Sequence, residues 1–115
     1  MARQTLTKTT AVSSGWPTDG VTVTFTAADT VNKSQFALTG KELVIARNSG
    51  ASARTVTITS VSYLGRTGDI TSDSIAAGAT HIYGPFDLRG FRQADGMLYL
   101  EANNAEVLFA VITLP

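Results

Sequence analysis

The chain has 115 residues, nine basic and nine acidic side chains, and no cysteine. That length fits one domain around a single apolar core, and without cysteine there are no disulfides, thiolate metal sites or thiol nucleophiles. The balanced charge, with no run of either sign, argues against the single-sign field of a nucleic-acid or anionic-membrane binder.

Residues 1–15 are polar and threonine-rich, with Leu6 and Val12 as the sizeable apolar anchors. They read as an edge strand or as an extended arm that orders on a partner. Trp16 and Pro17 follow, before Thr18-Asp19-Gly20, so Trp16 is either a lid on the core or an anchor for a neighbouring molecule. The segment "VTVTFT" (21–26) alternates, which predicts a strand with Val21, Val23 and Phe25 inward. Residues 26–40 are the least strand-like and read as a loop or one helical turn.

"KELVIARN" (41–48) predicts a strand closed by the turn formers "NSGAS". In "ARTVTITSVSYLG" (53–65), Val56 and Ile58 alternate with threonines, and the phase then slips at Val61 and Tyr63. A bulge near Thr59–Ser60 would restore one face. "GDITSDSI" (68–75) and "THIYGPF" (80–86) are further strands. "MLYLEAN" (97–103) and "EVLFAVITL" (106–114) read as a closing hairpin across Asn103-Asn104-Ala105. The last strand is apolar on both faces, as in the centre of a covered sheet or at a subunit contact.

Seven or eight short strands punctuated by turns predict an all-β fold, an antiparallel β-sandwich of jelly-roll type. The expected organisation is an N-terminal arm (1–15) and one sandwich domain (16–115). No apolar run is long enough for a membrane helix, and the N-terminus lacks the apolar middle of a signal peptide. Synthesis in a cytoplasm is the resulting expectation.

Catalytic equipment is sparse. His81 is the only histidine, whereas metal centres draw on several His, Cys, Asp or Glu ligands. No nucleophile elbow accompanies the serines, and no Walker, Rossmann or EF-hand pattern occurs. By alternation His81 shares a strand face with Tyr83, which reads as a sheet-face pair rather than a catalytic one. Asp69 and Asp73 sit among turn residues, and Glu101 and Glu106 flank the last turn. The expectation is a protein that is not an enzyme, with no cofactor and no metal. Arg89, Phe91 and Arg92 cluster around Gly90 in "FDLRGFRQADG" (86–96), and arginines with aromatics are enriched where proteins meet.

The stretches "RNSGASARTVTITSV", "GDITSDSIAAGATHIYGPF" and "ADGMLYLEANNAEVLFAVITL" resemble a recurrent pattern in small tailed-phage virion proteins, over residues 41–114. The pattern joins an asparagine turn, an "ARTVTITS" strand, an AGxT turn, a strand closing in "GPF", and an apolar C-terminal strand. The resemblance implies a capsid decoration (cement) or other head-associated protein. It would bind the major capsid protein on the outer surface of the virion, as a homo-oligomer, most simply a trimer. Capsid contact is then expected from Arg3, Gln4, Leu6, Lys8 and Trp16, and subunit contact from Arg89, Phe91 and Arg92. Nucleic acid and membrane are not expected partners. The rival readings are a head–tail connector or tail subunit, and a glycan-binding sandwich built on Trp16, Tyr63, Tyr83 and Tyr99.

Overall fold

A computed structural model describes residues 3–11, 20–62 and 68–114. The chain folds as an all-β sandwich. The strands are β1 (Gln4–Thr5), β2 (Lys8–Thr10), β3 (Thr26–Ala27), β4 (Ser34–Ala37), β5 (Glu42–Asn48), β6 (Arg54–Thr59), β7 (Ile70–Ile75), β8 (Thr80–Tyr83), β9 (Met97–Ala102) and β10 (Val107–Thr113). One helical turn, α1 (Leu88–Phe91), is N-capped by Asp87, which accepts from the Arg89 N–H.

The first sheet runs β1-β4-β9-β6-β7 and the second β2-β10-β5-β8, with β3 beside β10. The inward positions are apolar and closed to water: Phe36, Val56, Ile58, Leu98 and Leu100 from the first sheet meet Val44, Ala46, Val107, Phe109 and Val111 from the second. This is the period-two alternation of the sequence turned into one core.

Several expectations need correction. First, residues 3–11 take the edge-strand reading of the N-terminal segment and do not extend as an arm. β1 pairs parallel to β4 and β2 parallel to β10, so the N-terminal segment crosses from one sheet to the other and makes both sheets mixed. Leu6, at the crossing, is buried in the core and drives this arrangement. Second, residues 21–25 are not a strand, and Val21, Val23 and Phe25 are 47%, 37% and 39% exposed. β3 places Thr26 opposite Phe109, but the next positions along β10 are already paired with β2 from Val111 onward. The segment is excluded from the sheet edge because that edge is occupied.

Third, β9 and β10 do not form a hairpin. They lie in different sheets, and the Asn103–Glu106 turn arches over the core so that Ala102 and Val107 both point inward. Fourth, β6 ends at Thr59, and the register irregularity falls earlier, between Val56 and Ile58, where β7 carries an extra residue and Ser72 has φ +48°. Tyr63 lies outside the described residues. The loop expected over 26–40 also holds β4, whose Ser34 and Phe36 are fully buried.

At one end, Asn48 joins the two sheets. Its side-chain amide donates to Ser52 O at 2.7 Å and to Ile75 O at 3.0 Å, and its Oδ1 accepts from Gly50 N–H at 3.0 Å. Asn48→Ala leaves these three groups without their partner, and a loss of about 2 kcal/mol is expected in chemical denaturation.

Candidate interaction surface

The two outer faces of the sandwich differ in chemistry. On the first sheet, outward positions of β6 and β9 carry Thr55, Thr57, Thr59, Tyr99 and Glu101, a polar surface. On the second sheet, outward positions of β5 and β10 are half-buried Leu43, Ile45, Leu108 and Ile112, with Ala110 closed to water and Arg47 exposed at one end. Ile82 on β8 pairs with Ile45 and is 65% exposed. The displaced segment 20–25 stands beside this face: Val21 and Val23, with Thr9, Ala11, Ile45 and Ile112, line an open apolar depression of about 290 Å³. An apolar sheet face with an aliphatic-walled depression suits a protein partner rather than a polar ligand.

β10 is therefore apolar on both faces for two reasons. Val107, Phe109 and Val111 fill the core, while Leu108 and Ile112, with Ala110 closed to water between them, lie on the outer side. Sequence alternation could not separate these roles, since both demand aliphatic side chains.

The residues anticipated as contacts occupy several places. Arg3 lies on the outer face of the first sheet, its guanidinium 4.2 Å from the Tyr99 ring centroid and donating to Ser34 O at 3.0 Å. Gln4 accepts from the Ser34 hydroxyl at 3.2 Å, and Leu6 belongs to the core. Lys8 points to the interior end of β5, where its ammonium lies 3.0 Å from Glu42. Trp16 lies outside the described residues. Phe91 is turned inward, its ring edge-on to buried Phe86 with centroids 5.2 Å apart. Arg89 pairs with Asp87 at 3.1 Å and Arg92 is exposed. Among the described residues, these do not converge on one patch.

His81 and Tyr83 share the inward side of β8, as alternation predicts, but their partner Asp73 comes from β7 of the other sheet. The Tyr83 hydroxyl donates to Asp73 Oδ2 at 2.5 Å, and His81 Nδ1 lies 2.8 Å from the same oxygen. The bond from Tyr83, then that from His81, holds the Asp73 carboxyl below its ordinary pKa. Burial, followed by the bond to Asp73, pushes the Tyr83 phenol up. The trio clasps the two sheets along the β7/β8 edge. Among the described residues no nucleophile bonds to the other imidazole nitrogen, and no group of three or more His, Cys, Asp or Glu is placed to hold a metal ion.

Of the proposed aromatic platform, Tyr83 is buried and committed to Asp73, while Trp16 and Tyr63 lie outside the described residues. No protein-family model matches the sequence, and no curated protein or solved structure matches the chain.

Proposed function

We propose that the protein is a non-catalytic structural component of a phage particle that binds the assembled capsid and stabilises it. The observation that carries a binding role is the apolar outer face of the second sheet, where exposed Ile82, Val21 and Val23 stand with half-buried Ile45 and Ile112. A small domain that leaves aliphatic side chains in water along a sheet face gains free energy when a partner covers them. The capsid as that partner follows from the likeness of residues 41–114 to small tailed-phage virion proteins. A ligand that binds only the assembled shell stabilises it by mass action, and repeated copies turn a modest contact into a durable coat. Trimerisation and residence on the outer capsid surface belong to the same proposal.

The test places a charge on the face without touching the core. Ile82→Asp changes a side chain that is already 65% exposed, so the melting temperature should stay close to that of the parent. Co-sedimentation with empty shells should weaken about tenfold or more, since a carboxylate would have to be desolvated in the contact. Unchanged shell binding by Ile82→Asp would remove this face from the contact.

A further inference from the structure

We infer that the outer face of the first sheet carries a second binding site, for a neutral polyhydroxylated ligand of the saccharide class. The site is a shallow depression of about 240 Å³ across the sheet, lined by Lys33, Thr55, Thr57, Ser72, Glu101 and Asn103, with Ala102 at its base. It lies on the opposite side of the sandwich from the apolar face and does not depend on the shell-binding reading.

Backbone conformation singles out this depression. Among the described residues, the two non-glycine residues with positive φ are Lys33, at +67°, and Ser72, at +48°. Both line the depression, on opposite sides of β9 and β6. Lys33 ends the Asp29 turn and Ser72 occupies the β7 bulge, places where glycine would sit without steric cost. Retaining side chains there sets an ammonium and a hydroxyl facing the same hollow. Strain held at two walls of one concavity is the pattern of a functional site rather than of a passive surface.

The lining is already ordered. The Thr57 hydroxyl oxygen accepts from Ser72 N–H at 3.0 Å, which leaves its proton to be donated elsewhere. Asn103 Oδ1 accepts from Thr55 N–H at 3.0 Å, which fixes the orientation of its amide. Lys33 Nζ lies 3.1 Å from Glu101 Oε2 and also donates to Thr30 O at 3.3 Å. The ion pair thus offers a donor and an acceptor side by side, while three hydroxyls and an amide surround it. The formal charge of the lining cancels, so an anion gains little there. A ligand with adjacent hydroxyls, each able to donate and accept, matches this array.

The test is a ¹H–¹⁵N NMR titration of the full chain with glucose, galactose, mannose and N-acetylglucosamine, and with inorganic phosphate as the anionic comparison. At least one sugar should shift the amides of Thr57, Ser72, Glu101 and Asn103 in a saturable way, and Glu101→Gln should weaken that sugar about tenfold. Lys33→Gly and Ser72→Gly should lose binding while melting at or above the parent temperature, because each relieves a left-handed side chain. Absence of site-localised shifts with all four sugars would overturn the proposal, as would equal shifts with phosphate. Glycine variants that melt lower than the parent would also overturn it, by making the two side chains structural.

Discussion

Lys8→Met is expected to destabilise the fold by about 3 kcal/mol at neutral pH, read by urea denaturation. The reason lies with its partner. Glu42 is fully buried, and its carboxylate is satisfied by Thr39 N–H and the Thr39 hydroxyl, each at 2.7 Å, and by the Lys8 ammonium at 3.0 Å. Burial alone would raise the Glu42 pKa, but the two Thr39 bonds and Lys8 together outweigh it and hold it below the ordinary value of 4.5. Removing Lys8 strands a buried anion, whereas the ammonium itself can still reach water. The damage should therefore shrink when Glu42→Gln is added, and a double-mutant cycle would measure the coupling. Equal losses in the two backgrounds would contradict the pairing.

The same corner contains the second large effect. Gly84 has φ +107°, and a Cβ there would lie 2.9 Å from Glu42 O and 3.1 Å from the Phe86 ring. Backbone cannot yield as a flexible side chain can, so Gly84→Ala combines a forbidden dihedral with a clash. A loss of about 2–3 kcal/mol is expected. Gly78, also at positive φ, has open space around the added carbon. Gly78→Ala should lose less, and this comparison separates strain from clash.

The titrating groups set a stability window. Glu42 and Asp73 are depressed in the fold, so their contributions are present above the ordinary values of 4.5 and 3.8 and fade as the pH falls through the lower folded values. Tyr83 is raised, so its contribution is intact below 10.0 and fades as the pH climbs towards the raised value. Stability should therefore be flat from about pH 5 to 10 with respect to these groups, and Tyr83→Phe should abolish the part of the alkaline decline that Tyr83 causes.

Much of the architecture was legible from period two. Val56 and Ile58 stand on inward positions, as their alternation with threonines predicts, and Val107, Phe109 and Val111 share one face of β10. Local pattern misled where two segments compete for one place. "VTVTFT" is as good a strand as any in the chain, yet β2 already holds the edge beside β10, a contact that no local window encodes. The closing hairpin failed for a related reason: a short turn between apolar strands fits a hairpin and an arch equally well, and the core decides. The Asp73–His81–Tyr83 clasp was half visible, since alternation put His81 beside Tyr83 but could not supply a carboxylate from the opposite sheet. The outer apolar face was masked by β10 itself, whose second set of aliphatic residues reads as more core. The polar depression had no sequence signal, because it depends on the backbone at Lys33 and Ser72.

The most direct measurement is size-exclusion chromatography with light scattering on the purified protein, alone and mixed with empty capsid shells. Co-elution that saturates at a fixed, symmetric number of copies per shell is the result predicted for a decoration protein. A folded protein that elutes apart from the shells at every concentration would contradict it.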